Sequence, residues 1–211
     1  MTYHGGAPAG GGRADWETPP ELFERLNRVF RFNLDVCAMP KNAKCKKFFA
    51  PISPHTLHMP SSHLDGLSQD WVIWKCPSCD YETYGSRDDG VDPLNFLTSS
   101  LPPYLCPACG SVLGAYPAVV YMNPPYGRAL AAWLEKARRE SQQGATVVAL
   151  LPNDQSTRWF HDHVKPCATV FPLDGRIRFV GAEGSPNFGS MIAIYWPKGF
   201  WDGSPRPRGS Q

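Results

Sequence analysis

Four consecutive residues, Asn123-Pro124-Pro125-Tyr126, close the apolar run Ala118-Val119-Val120-Tyr121-Met122 and combine groups suited to handling a planar amine. An exocyclic amine conjugated to a heteroaromatic ring is a poor nucleophile, because its lone pair is delocalised into the ring. An Asn side-chain oxygen and a neighbouring backbone carbonyl can each accept one of its N–H groups. Together they favour a more tetrahedral nitrogen whose lone pair faces an electrophile. The prolines fix φ and donate no N–H, so the carbonyl of Pro124 is preset. Tyr126 supplies an aromatic face of the kind that grips a flipped base. The chemistry this predicts is methyl transfer to an amino nitrogen. A plain strand followed by a Pro-Pro turn has the same composition, but the position behind a buried run favours the chemical reading.

A second set of reactive residues lies upstream. Cys76-x-x-Cys79 and Cys106-x-x-Cys109 are two doublets separated by 26 residues. Each can offer two sulfurs to one tetrahedral metal, which predicts a structural Zn²⁺ in a ribbon-like module. A disulfide reading needs an oxidising compartment, for which there is no targeting signal. A thioredoxin-like role needs one doublet in a βαβ setting, not two framing a polar loop. Cys37, Cys45 and Cys167 are expected to be buried, inert thiols.

Composition bounds what surrounds these groups. The 211 residues suffice for one well-buried domain with a small insertion, and 42% hydrophobic content is globular. No segment approaches the roughly 18 apolar residues of a membrane span, and the Gly/Ala-rich N-terminus lacks a signal-peptide core. A cytoplasmic protein with no membrane partner is expected. The formal charge is +2, and four thiolates around one Zn²⁺ bring it to zero. Any nucleic acid must then be held by local basic patches rather than by a global field. The candidates are Lys41, Lys44, Lys46 and Lys47, then Arg138 and Arg139, then Arg176 and Arg178.

The elements that position the reactive residues read as α/β. Residues 1–14 and 199–211 are expected to be disordered, flanking one domain over 15–198. Pro19-Pro20 opens a helix to Phe30 with Leu22, Phe23, Leu26 and Phe30 on one face, and Thr18 is its expected N-cap. A short buried strand follows over 32–36. Between 75 and 116 the apolar pattern fades, which marks the zinc-ribbon-like insertion. The strand at 118–122 is followed by a helix over 129–142, the most apolar strand at 145–151, and a helix near 157–164. Strands are then expected at 168–172, 176–180 and 190–196, the last two forming an antiparallel hairpin. Strand–helix alternation predicts a mostly parallel sheet with helices on both faces.

In this order along the chain, several segments resemble the phage-type, Dam-like DNA N6-adenine methyltransferases. They are Asp15-Trp16-Glu17-Thr18-Pro19, Leu34-Asp35-Val36-Cys37-Ala38 with Asn42-Ala43-Lys44-Cys45 behind it, Asp65–Trp71, Asn123-Pro124-Pro125-Tyr126-Gly127, Leu150-Leu151-Pro152, Trp159-Phe160-His161 and Phe188-Gly189-Ser190. The resemblance spans most of 15–198 without the Cys-rich segment. It implies a Rossmann-like fold, S-adenosylmethionine as cofactor, and methylation of N6 of a flipped adenine in double-stranded DNA. It also implies that Thr18 lies near the methionine carboxylate, consistent with a hydroxyl at the start of a helix. Asp35, at the carboxyl end of the first strand, is implied to lie near the cofactor. Asp65 is implied to contact the cofactor's adenine, with Asp70 as competitor. The Gly-rich loop common in methyltransferases is replaced here by Cys37-Ala38-Met39-Pro40.

Asn-Pro-Pro-Tyr alone leaves other acceptors open: cytosine N4, an RNA guanine, or a protein glutamine amide. A reading from another class is a non-catalytic zinc-ribbon DNA-binding protein. No general base is expected at the loop, since the cationic product amine is itself acidic, and His161 and His163 read as solvent-facing helix residues.

Overall fold

The computed structural model describes residues 16–50, 66–84, 105–182, 184 and 186–200. The expected disordered ends, Asp65 and much of the Cys-rich insertion lie outside them. Gly199 and Phe200 are described: the Phe200 ring stacks on Trp196 at 4.6 Å between centroids.

A five-stranded sheet carries the fold, in the order β1 (Leu34–Asp35), β5 (Val119–Met122), β6 (Thr146–Pro152), β8 (Ser190–Tyr195), β7 (Thr169–Pro172). The first three strands run parallel, and β8 and β7 close the sheet antiparallel. Alternation across β6 and β8 decides what each face buries. Val147, Ala149 and Leu151, with Met191, Ala193 and Tyr195, share a core with Leu130, Trp133 and Leu134 of α2 (Leu130–Gln142) and Phe160 of α3 (Arg158–His163). Val148, Leu150, Ile192 and Ile194 face the other way, onto Leu22, Leu26 and Phe30 of α1 (Pro20–Phe30). Helices therefore cover both faces, as the alternation of elements requires.

Two expectations change. Thr18 is not the cap of α1: Pro19 occupies that position and no side chain caps the helix. The Thr18 hydroxyl is engaged elsewhere, as described below. Residues 176–180 do not form a strand, and β7 pairs with β8 instead. A strand has two edges, and both edges of β8 are taken by β6 and β7. The 176–180 segment runs extended with Ile177 and Phe179 turned into the core, while only Val180 makes a bridge, to Glu17.

The Cys-rich segment builds its own three-stranded antiparallel sheet, in the order β3 (Glu82–Tyr84), β2 (Val72–Lys75), β4 (Gly114–Pro117). Its stem begins earlier than the composition suggested, because β2 serves both cores. Trp71 and Ile73 enter the main core, whereas Trp74 packs with Cys76, Cys106 and Leu113. Strand β4 runs almost directly into β5, so the module is joined to the strand that ends at Asn123.

Candidate active site

At the carboxyl ends of β1 and β5 lies an open cleft, where α/β folds place their ligands. Its polar lining includes Glu17, Thr18, Asn42, Lys44 and Asn123; its apolar lining includes Trp16, Val36, Met39, Pro125 and Trp133.

The chain turns sharply to make this cleft. Gly127, at φ +128°, lets the loop after Tyr126 reverse into α2. Gly66 faces the first loop so closely that a Cβ would stand 2.4 Å from the Val36 carbonyl oxygen. No side chain fits there. Val36 and Gly66 both line the cleft.

Asn123 is the most constrained polar residue of the site. Its Nδ2 donates to the Trp16 carbonyl and to Thr18 Oγ1, the latter at 3.2 Å. Its Oδ1 is buried and has no hydrogen-bond partner among the described residues. Pro124 is buried, and Pro125 lines the cleft. Tyr126 is half-buried: its hydroxyl donates to the Leu150 carbonyl at 3.3 Å, and its ring meets Phe188 and Phe179 edge-on at 5.8 and 6.4 Å. Trp16 packs on the same two phenylalanines. The N-terminal segment is held beside the loop because Val180 N–H donates to the Glu17 carbonyl at 2.9 Å.

Thr18 lines the cleft although it is only 1% exposed, and its hydroxyl lies 2.6 Å from that of Tyr121. Asp35 sits beneath the loop that follows β1 rather than among the residues lining the cleft. Its carboxylate accepts the Lys44 N–H at 3.0 Å and the Cys37 N–H at 3.3 Å, pulling the 37–44 loop into an arch. That arch stands where a Gly-rich turn would otherwise be expected. Gly66, which follows Asp65, is in place at the cleft, while Asp70 lies 3.8 Å from the Lys136 ammonium.

Burial pushes the Asp35 carboxyl up to about 6, against the opposing pull of the Lys44 and Cys37 amides and the Lys44 charge. Its folded-state pKa lies above the unfolded value. This group therefore favours the fold below about pH 4, and that contribution disappears as pH rises through about 6. The span corresponds to roughly 3 kcal/mol. Asp35→Asn is expected to remove this step from a urea-denaturation series run between pH 4 and pH 7. A variant curve parallel to the wild-type one would contradict the raised pKa.

Part of the lining carries no signal in the sequence. Trp133 belongs to no motif, while Trp16 and Asn42 stand out only as members of the segments Asp15–Pro19 and Asn42–Cys45. Lys44 and Lys47, expected in a basic patch, are used internally. Lys44 Nζ lies 2.9 Å from Glu17 Oε1, and Lys47 pairs with Glu82. Arg138 pairs with Glu135 at 2.8 Å, whereas Arg176 and Arg178 are both exposed. Cys37, expected to be buried, is half-buried and lines the cleft. Cys45 and Cys167 are half-buried thiols that burial pushes up to about 12 and about 11. No histidine is among the described residues lining the cleft; His163 instead faces Glu135 at 3.2 Å.

The four doublet cysteines converge, with all their sulfurs within 4.8 Å of one another. Cys76–Cys109, Cys79–Cys106 and Cys79–Cys109 are 3.4, 3.6 and 3.7 Å apart. The Ser78 N–H points at Cys76 Sγ at 3.3 Å. Among the described residues no helix is long and apolar enough to cross a membrane.

A model of the DNA N-6-adenine-methyltransferase (Dam) family matches residues 11–74 and 115–197, passing over 75–114. A DNA N-6-adenine-methyltransferase of Haemophilus phage HP1 is 25% identical over 191 residues, covering 87% of this chain and 79% of the phage protein. These likenesses favour adenine over the rival planar amines and over a non-catalytic zinc-ribbon protein. The chain belongs to the Dam family of DNA N-6-adenine-methyltransferases and is an adenine-specific DNA methyltransferase.

Proposed function

We propose that the cleft holds S-adenosylmethionine beside an adenine flipped from double-stranded DNA, and that Asn123-Pro124-Pro125-Tyr126 presents N6 to it. The observation that carries this reading is the buried, unpartnered Oδ1 of Asn123. An acceptor left without a partner away from water costs about 1–3 kcal/mol unless a ligand supplies a donor. An amino group supplies one.

When bound, S-adenosylmethionine supplies the electrophilic methyl group. The protein's part is to bind, orient and exclude water. Thr18 and the arch over Asp35 form one wall, with the arch amides fixed by the carboxylate. Asn123 Oδ1 and the Pro124 carbonyl accept the two N6–H bonds and turn the nitrogen lone pair toward the methyl carbon. Tyr126 offers its ring to the flipped base. The cationic product amine is acidic enough to lose its proton without a dedicated base.

The Cys76, Cys79, Cys106 and Cys109 thiolates bind one structural Zn²⁺. Four sulfurs about 2.3 Å from a tetrahedral ion stand about 3.8 Å from one another, close to the separations above. The donor set fits the metal.

Arg176 and Arg178 lie exposed on the extended segment that ends beside Glu17, and they contact DNA phosphates. Replacing both by Gln is expected to weaken binding to all DNA sequences alike and to reduce the slope of log K against log salt by about 2. An unchanged slope would remove them from the interface.

The reaction itself is tested with unmethylated DNA, single- and double-stranded, incubated with S-adenosylmethionine and digested to nucleosides for mass spectrometry. N6-methyladenine arising faster from duplex is the expected result. Methylation of the single strand alone would overturn the duplex assignment. No N6-methyladenine from either, with cofactor binding intact, would overturn the adenine assignment for this chain.

A further inference from the structure

Asn123 is held by its nitrogen, not by its oxygen. The two Nδ2 hydrogens are taken by the Trp16 carbonyl and Thr18 Oγ1. Turning the amide over would set Oδ1 against the Trp16 carbonyl, acceptor against acceptor, so these two bonds fix which way Oδ1 faces. Thr18 is itself fixed from beneath, by the Tyr121 hydroxyl at 2.6 Å. Tyr121 and Asn123 are two residues apart at the end of β5 and project to the same side of the chain. The tyrosine is 1% exposed, with its ring packed between Phe23 and Phe32.

Thr18 Oγ1 is the one partner found for the Tyr121 hydroxyl among the described residues, and either oxygen can donate in that bond. In both arrangements Thr18 Oγ1 accepts from Asn123 Nδ2 and is held in place from beneath by Tyr121.

We infer that Tyr121 and Thr18 are positioning residues for methyl transfer: Tyr121 holds the Thr18 hydroxyl in place, and Thr18 holds the Asn123 amide with Oδ1 toward the acceptor amine. This rests on the reading of Asn123 as the residue that receives the adenine amino group. It adds that the orientation of that residue is supplied by the N-terminal segment and a buried phenol.

The test is the single-turnover rate of methyl transfer at saturating cofactor and duplex DNA, read together with the melting temperature. Thr18→Val, which removes the hydroxyl at nearly constant shape, is expected to slow transfer by about tenfold to a hundredfold, the scale of a slightly misplaced group. Thr18→Ser keeps the hydroxyl and is expected to stay within about threefold of wild type by the same argument. Thr18→Val also leaves the Tyr121 hydroxyl buried without a partner and so lowers the melting temperature. Adding Tyr121→Phe removes that hydroxyl, so the double variant is expected to regain melting temperature without regaining rate.

That divergence separates positioning from simple support of the fold. A double variant whose rate returns together with its stability overturns the inference, and so does a Thr18→Val enzyme of wild-type rate. Asn123→Ala is run in the same assay. If it also keeps the wild-type rate, the reading of Asn123 itself fails. If it collapses while Thr18→Val does not, the positioning inference alone fails.

Discussion

Replacing Asn123 by Ala is expected to lower turnover by about a hundredfold to a thousandfold while leaving cofactor affinity within a few-fold of wild type. The magnitude is that of removing one preorganised hydrogen-bonding group aimed at the reacting centre, about 2.7–4 kcal/mol of transition-state stabilisation. The asymmetry follows from the geometry. Oδ1 has no partner among the described residues, so its loss is felt only when the amine arrives. The cleft wall formed by the 37–44 arch is held separately, by Asp35. Loss of the two Nδ2 bonds also frees Thr18 and the Trp16 carbonyl, so some thermal destabilisation is expected alongside. Single-turnover kinetics with a parallel titration of S-adenosylhomocysteine measures both quantities. Turnover within a few-fold of wild type would remove Asn123 from the reaction, and a matching fall in cofactor affinity would make it a cofactor residue instead.

Much of this was legible in the sequence because it was local. An apolar run ending in Asn-Pro-Pro-Tyr announces a buried strand that stops at a rigid turn, and β5 does so between two parallel neighbours. The two Cys-x-x-Cys doublets bring their own short-range geometry, and the four sulfurs meet. What could not be read is where partners far apart in the chain are spent. Thr18 has the composition of an N-cap, yet a hydroxyl 103 residues further on claims its side chain. Lys44 reads in the sequence as a cation open to phosphate, yet Glu17 lies beside it. Residues 176–180 have the alternation of a strand, but pairing also needs an open edge, and β8 had none left. Such outcomes depend on competition among elements, which periodicity does not encode.

The other large effect is expected from the cysteine cluster. The purified chain should carry about one zinc ion, and removing it should cost the module its fold: structural zinc contributes roughly 10–16 kcal/mol in small zinc-binding peptides. That matches or exceeds the whole stability of a typical domain. The module's described apolar cluster is small, essentially Trp74 and Leu113 against the cysteines, with Val72 and Tyr81 at its edge. Its collapse should reach the cleft through two ties. Trp71, at the base of the stem, donates its indole N–H to the carbonyl of cleft-lining Gly66 at 2.8 Å, while Glu140 of α2 accepts its backbone N–H at 3.0 Å. Glu82 of β3 pairs with Lys47, whose carbonyl accepts the Asp35 N–H at 3.0 Å. Cys76→Ser combined with Cys106→Ser is therefore expected to lower the melting temperature by on the order of 10 °C, about 3 kcal/mol or more at this chain length. Affinity for S-adenosylhomocysteine should fall with it, while the preferred DNA site is unchanged. Glu82→Gln cuts one tie without touching the metal and should reproduce only the milder part of the affinity loss. A variant that binds the cofactor normally but methylates different sites would assign the module to reading DNA. A chain that carries no zinc and is indifferent to chelators would show that the four sulfurs converge for another reason.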